Sequence, residues 1–451
     1  MFRHETTVSS RYDAGPGCVV DRALASPAVG DAGVDRDFQR NLTVVLACGA
    51  VVRIIRLATK WNHPLLLNDS LYYAAQAQQL AHGVWFREVF VDKAGAEHGP
   101  LTSTLMALVS WGGDPFNRQR MVTVACGIAT VAVISVVARR VGGDRTGLIA
   151  AALAAVYPNL WISDGLVMSE SVSCLLIALA LWAILAWTDK PTLRAAVLVG
   201  VAIGLGTLAR SEVILFLPGA AVVMWIVARR SEVHHPSTQV LAAAVVTIVL
   251  LLPWTIFNLV RFDKPVFLTT NEGGALLGAN CDDTYFGPAQ GGWSLLCLVN
   301  DPGNGSDGDT STRTARQRHE AFSYVGHHLS SLPRVELQRV GRSLDFFALG
   351  DMVRGDVGEE RERWAAWAGI VSFWLLAPLA ALGAVLTRRR DRAILLIPVT
   401  IAIVTTVVIY GGHRIRSAAE PPIVILAAVA IDRWIDRRFD RRGQTSESSP
   451  S

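Results

Sequence analysis

The chain has no GxxxxGK[ST] loop, no GxGxxG following a strand, no HExxH and no CxxC. Nucleotide hydrolysis, dinucleotide redox chemistry, zincin proteolysis and thiol exchange therefore lack their usual parts. Lysine is scarce, with four residues against 38 arginines, a skew that fits a GC-rich coding bias better than a function. The net charge of +4 is small for 451 residues and carries no message about nucleic acid. The first 41 residues also lack the basic-then-apolar order of a cleaved signal. Residues 1–41 are thus expected to form a disordered cytoplasmic tail, with Cys18 a free thiol. No long soluble domain is available to bind a nucleotide sugar, so an activated substrate has to arrive in or through the membrane.

What is abundant is apolar sequence. Hydrophobic residues make up 51% of the chain and the mean hydropathy is +0.36, which excludes an ordinary soluble domain. Apolar runs begin near Leu42, Met121, Leu148, Ser171, Leu193, Val213, Thr238, Trp364, Ala393 and Pro421. They predict an all-α polytopic membrane protein with about ten transmembrane helices. Alternating their direction gathers Arg139 and Arg140, Lys190 with Arg194, Arg229 and Arg230, Arg388–Arg390 and the arginines of 433–442 on one side. That is the positive-inside pattern, so both termini are expected in the cytoplasm of a plasma-membrane protein. The expected organisation is a tail over 1–41, a transmembrane catalytic module over 42–257 with a first outer loop over 60–118, an extracytoplasmic segment over 258–363, transmembrane helices over 364–436 and a cytoplasmic tail over 437–451.

The polar clusters all fall on the outward side. The loop Trp61–Leu101 brings Asp69, Glu88, Asp92, Glu97, His82 and His98 to the membrane surface. Holding a charge at membrane depth costs roughly 2.5–3.5 kcal/mol, so acids kept there tend to meet an ion, a substrate or a partner charge. Leu101–Gly113 is too short for a span and reads as a juxtamembrane helix. Arg118 and Arg120 follow it against the positive-inside trend, facing lipid phosphates, loop carboxylates or simply the headgroups. Glu170 opens a span, where capping by the helix dipole is the plain alternative to a functional role. The LARSEV turn sets Arg210 beside Glu212, and YGGHRIRSAAEPP packs His413, Arg414, Arg416 and Glu420 together. Two arginines beside glycines suit a phosphate. Gly200, Gly204 and Gly206 read as close helix packing. Two amphipathic helices are expected over residues 314–347, broken near Pro333. Cys281 and Cys297 share the outward segment, where an oxidising compartment permits a bridge between them, against two separate thiols.

Taken in order, NDSLYY, EHGPL, LVMSES, LARSEV, the passage PWTIFNLVRFDKPVFLTTNEGGALLGAN and RIRSAAEPP resemble the GT-C superfamily of membrane glycosyltransferases. The likeness is to the branch of the lipid A aminoarabinose transferase and the protein O-mannosyltransferases, and it runs from Leu42 to Trp434. It implies the GT-C fold and transfer of a sugar, with inversion, from a polyprenyl-phosphate donor to a hydroxyl of a cell-envelope glycan, lipid or protein at the outer face. Asp69 stands at the family's catalytic loop carboxylate, Glu97 at its second acid and Glu170 at the acid after the third span. Arg210, Arg414, Arg416 and His98 are the expected donor-phosphate contacts; Tyr72, Tyr73, Glu212 and Asn271 are the expected substrate contacts. The chain departs from the family at His98 and Gly99, where a lysine or a second proline often stands. No cofactor is required by the resemblance, and a divalent cation bridging the acids, as in some relatives, stays open. The competing reading is a transporter or lipid flippase, which should show internal repeats and charges at mid-span rather than polar groups gathered at one face.

Overall fold

The computed structural model describes residues 32–230, 236–301 and 308–447. Cys18, most of the N-terminal tail and residues 448–451 lie outside the described residues. In chain order the helices are α1 (Ala32–Lys60), α2 (Asp69–Ala81), α3 (Pro100–Ala107), α4 (Phe116–Gly142), α5 (Asp144–Val156), α6 (Pro158–Trp161), α7 (Glu170–Asp189), α8 (Leu193–Ala209), α9 (Phe216–Arg230) and α10 (Pro236–Arg261). After the long connection come α11 (Glu272–Ala279), α12 (Asp282–Tyr285), α13 (Leu296–Val299), α14 (Thr310–His327), α15 (Leu332–Ser343), α16 (Leu349–Gly358), α17 (Arg363–Leu386), α18 (Arg389–Val408), α19 (His413–Arg416) and α20 (Glu420–Glu447). Among the described residues there is no strand, and an isolated bridge joins Arg87 to Ala94.

Among the described residues seven helices are long and apolar enough to cross a membrane: α1, α4, α7, α9 with the turn before it, α10, α17 and α18. The other three expected spans correspond to α5, α8 and α20. The first two have 13 and 17 residues, and α20 turns charged after Ala430, with Asp432, Arg433, Asp436, Arg437 and Arg438. The first helix starts before its apolar run, because nothing in residues 32–41 breaks it.

An alanine-rich core joins α4, α5, α7, α8, α18 and α20. Small side chains let these helices approach closely, which is how helices gain packing energy where water supplies no hydrophobic drive. At Gly200 a Cβ would meet the Ala243 carbonyl oxygen at 2.5 Å, and at Gly204 it would meet Leu250 Cδ1 at 2.9 Å. These two glycines are the seam between α8 and α10. Trp187, fully buried on α7, donates its indole N–H to Gln239 of α10 at 2.7 Å.

Buried ion pairs fix one end of the bundle. Arg53 of α1 donates to Asp164 at 2.7 Å, both fully buried, and Arg56 donates to Glu362 and to the Ile162 carbonyl. Removing one partner of such a pair costs more than the pair contributes, because a bare charge is left inside. Arg118 and Arg120 have backbone partners: the first donates to the Val109 and Trp111 carbonyls, the second to those of Lys60 and His63, each at 2.8 Å. They cap the carbonyl ends of the segments that enter and leave the first loop. Over the bundle lie α14 and α15, broken where Pro333 opens the second helix, and a Cys281–Cys297 disulfide ties α13 to the segment before α12.

Candidate functional site

The loop that follows α1 begins with a cap. Asn68 accepts from the Ser70 amide at 2.8 Å, which starts α2 and places Asp69 in its first turn. Tyr73, one turn on, stacks on His98 with ring centroids 4.7 Å apart. The Tyr72 hydroxyl accepts from the Glu97 amide at 2.9 Å and so fixes the returning strand of the loop. Behind His98, Gly99 runs so close to α8 that a Cβ there would lie 2.3 Å from the Leu208 carbonyl oxygen. No side chain fits at that crossing, which explains the absence of a proline at 99.

Arg414, on the single turn of α19, is the centre of the arrangement. It donates Nη2–H to Asp69 Oδ2 at 2.6 Å, Nε–H to Glu170 Oε1 at 2.6 Å and Nη1–H to Glu359 Oε1 at 2.9 Å. One planar guanidinium thus joins carboxylates from the first loop, the start of α7 and the segment after α16, a use that suits its fixed fork. Arg210 adds a second cation, donating to Glu212 at 2.5 Å and to Glu170 at 3.3 Å. Arg361 adds a third, 2.6 Å from Asp356 and 3.8 Å from Glu170.

These contacts set the charges. Burial alone would raise the pKa of Asp69, but the Arg414 and His98 cations reverse this and hold it well below the usual carboxylate range. Burial also opposes the charge on His98; Asp69, with Oδ1 at 3.5 Å from Nε2, outweighs it and raises the pKa. Glu97 moves the other way, upward, because burial dominates. Its carboxylate makes no hydrogen bond or ion pair with the described residues.

Asp69, Tyr73, Glu97, His98, Arg210, Glu212, Asn271 and Arg414 all line one cavity of about 510 Å³. One flank is apolar, formed by Val266, Phe267, Leu268 and Ile409, and carries Lys264, which forms no ion pair among the described residues. Phe267 is 65% exposed there. Glu170 lies against the cluster from beneath rather than on this wall, and Tyr72 stands behind Glu97. Arg416 is elsewhere: it donates to Asp345 at 2.6 Å and to Glu420 at 2.7 Å, and covers the Phe373 ring. Sequence reasoning did not single out Glu359, Arg361 and Lys264. The run of charges Glu359–Glu362 just before a span was the available signal for the first two.

Among the described residues no three His, Cys, Asp or Glu side chains stand close enough to share a metal ion. Where three carboxylates do converge, their meeting point is filled by Arg414, so this donor set does not fit a bridging cation.

Residues 97–257 match the family model described as dolichyl-phosphate-mannose-protein mannosyltransferase. No curated protein matches the chain. Among solved structures it is similar to the oligosaccharyltransferase AglB from the archaeon Archaeoglobus fulgidus in complex with an inhibitory peptide and a dolichol-phosphate. The TM-score is 0.57 at 15% identity, covering 93% of this chain and 53% of that one. The apo form of the oligosaccharyltransferase of that organism gives 0.55 at 16%, covering 92% and 52%. Its complex with Zn and sulfate gives 0.54 at 18%, covering 89% and 50%. The chain spans about half the length of these structures. At such identities the likeness is one of fold, and the fold is that of the GT-C membrane glycosyltransferases.

Proposed function

We propose that this membrane protein of GT-C fold transfers a glycosyl unit from a polyprenyl-phosphate donor to a hydroxyl acceptor, with the cavity around Arg414 as its active site. The observation that carries the reading is the cavity's two-sided character: clamped carboxylates and guanidinium groups on one wall, an exposed apolar flank with a free ammonium on the other. A lipid phosphate needs both. Its chain would lie along Val266–Leu268 and Ile409, and its phosphate would meet Lys264, Arg210 and Arg414.

In the proposed reaction the acceptor oxygen attacks the anomeric carbon as the bond from that carbon to the phosphate oxygen breaks. The polyprenyl phosphate leaves with the bonding pair, and the acceptor proton passes to Asp69. The configuration inverts because attack and departure are on opposite faces. Asp69 is a weak base while Arg414 holds it, since that contact stabilises the carboxylate. An arriving phosphate would compete for Arg414, and the same exchange would strengthen Asp69 as a base and support the leaving group. Glu170 and Glu359 would then act as positioning residues for Arg414. His413, whose ring nitrogens lie 2.7 Å from Asp345 and from Asp356, would fix the turn that carries it. No step is assigned to a metal. We place the cavity on the extracytoplasmic face, in keeping with the arginine distribution.

The test is radiolabelled sugar transfer from a purified polyprenyl-phosphate donor in proteoliposomes holding the full chain. Asp69→Asn should lower turnover by about 10²- to 10⁴-fold, the range for losing a general base, and Glu97→Gln should lower it as well. Equal turnover in all three proteins overturns the site assignment.

A further inference from the structure

A second, smaller cavity of about 250 Å³ adjoins the first and shares Glu97 and Asn271 with it. Its far wall is Arg313 and Gln317 on α14, and Leu295, Leu298 and Val299 cover it from the segment pinned by the Cys281–Cys297 bridge. We propose that this cavity is the acceptor subsite and that it takes one unit of a hydroxyl-rich glycan chain, delivering a hydroxyl past Glu97 to the donor side.

Several observations agree on this. The side chains of Glu97, Asn271 and Gln317 form no hydrogen bond or ion pair with the described residues, although Gln317 is only 7% exposed. Gln317 is buried and the other two are partly buried, and all three line the cavity, so a polar ligand at this place would engage groups that no described residue holds. The two amides also converge. A Cβ placed on Gly274 would sit 3.7 Å from Asn271 Oδ1, 3.7 Å from Leu298 Cδ1 and 3.8 Å from Gln317 Oε1, with nothing nearer. That leaves ordinary van der Waals room among two amides and an aliphatic side chain. A carboxylate and two amides pair naturally with adjacent hydroxyls, each group both offering and accepting or accepting twice, while leucines and a valine meet the C–H face of a sugar ring. A peptide is commonly taken up along a free strand edge, and among the described residues there is no strand. Its volume is below the ~300 Å³ usual for pockets that enclose a whole drug-sized ligand, which suits a single unit of an extended chain.

The junction is placed for the chemistry. Glu97 belongs to both cavities, and His98, the next residue, has its Nε2 3.5 Å from Asp69 Oδ1. A hydroxyl held at Glu97 therefore faces the proposed base without crossing the lipid-side flank. Glu97 would orient the sugar by accepting from a neighbouring hydroxyl, which leaves the proton of the attacking hydroxyl to Asp69.

This inference rests on the transferase reading, so the experiment separates the two. The full chain in nanodiscs is titrated with a water-soluble hexose oligosaccharide, with ligand-observed NMR as the readout and no donor present. The same oligosaccharide and a Ser/Thr-containing peptide then serve as acceptors in proteoliposome assays with a polyprenyl-phosphate hexose. Gln317→Ala should weaken oligosaccharide binding by about three- to tenfold, the loss of one or two neutral hydrogen bonds, and raise the acceptor KM while leaving the donor KM in place. Gly274→Leu, which fills the space between the amides, should abolish binding, whereas Gly274→Ala should preserve it; unchanged thermal midpoints show that each variant is folded. Oligosaccharide binding that ignores both Gln317→Ala and Gly274→Leu overturns the subsite. Saturable peptide transfer that depends on Gln317 overturns the choice of a glycan. Gln317-dependent binding without any donor turnover supports the subsite and removes the transferase reading.

Discussion

Replacing Arg414 with Gln should be among the most damaging single changes in the chain, and a second change should partly repair it. Arg414 holds Asp69, Glu170 and Glu359 at 2.6, 2.6 and 2.9 Å. The four side chains are between 3% and 27% exposed, so their charges are little screened. Without the guanidinium, three carboxylates face one another with Arg210, Arg361 and His98 as the remaining cations. Breaking a buried ion pair by removing one member costs about 3–5 kcal/mol, most of it from the charge left behind. Arg414→Gln should therefore destabilise the protein by that amount, read from unfolding in detergent micelles. If stranded charge is the cause, Glu359→Gln in the same chain removes one of the repelling carboxylates and should return about 1–2 kcal/mol, within the usual range of coupling between residues in contact. In the parent chain Glu359→Gln should instead cost stability, because it deletes a charge-assisted bond. A double variant no more stable than Arg414→Gln would show that the three acids are not coupled through the arginine. The proposed role of Arg414 in setting the basicity of Asp69 would fall with it.

Three further outcomes follow from the same structure. His413 is buried, which opposes its charge, but hydrogen bonds to Asp345 and Asp356 prevail and lift its pKa to about 8 from the ordinary 6.5. A raised folded-state pKa contributes fully below about pH 6.5 and fades as pH climbs through about 8. Stability should fall by ~2 kcal/mol across that window, and His413→Gln should flatten the profile in melts at pH 6 to 9. Gly200→Val should loosen α8 from α10, since its Cβ would meet the Ala243 carbonyl oxygen at 2.5 Å; a melting temperature equal to the parent's would refute that contact. Reducing the Cys281–Cys297 bridge releases a loop of sequence separation 16, worth about 3 kcal/mol by chain entropy. Limited proteolysis should then cut first within 282–296, and an unchanged cleavage pattern would argue against the bridge as the clamp on α13.

Much of the architecture was legible in the sequence because apolar run length and charge placement are local properties. The membrane helices and the paired helices broken at Pro333 could be read in this way, whereas the GT-C fold was implied by the resemblance of the ordered motifs and the cysteine pair by the segment the two share. The gathering of Asp69, Glu97, Arg210 and Arg414 on one cavity followed from topology, since alternating spans send those turns to the same side. Rotation about a helix was not legible. Arg414 and Arg416 are two residues apart, hence on nearly opposite sides of the α19 turn; the first points to the cavity, while the second goes to Asp345, Glu420 and Phe373. Glu359 was hidden for a different reason. A run of acids and arginines before a span looks like a solvated collar, and only the return of α19 turns it inward. The amides of Asn271 and Gln317, without partners among the described residues, lie 46 positions apart in the chain, and no periodicity relates them.

The reliance on Arg414 also has a bearing on biogenesis. Arg414 lies 345 positions after Asp69 and 244 after Glu170 in the chain. While the chain is being made, His98 and Arg210 are therefore the cations beside those acids, and the link that joins the first loop, α7 and the segment after α16 forms only when α19 folds back. A chain cut before α19 would keep both acids and lack the cation that ties them together.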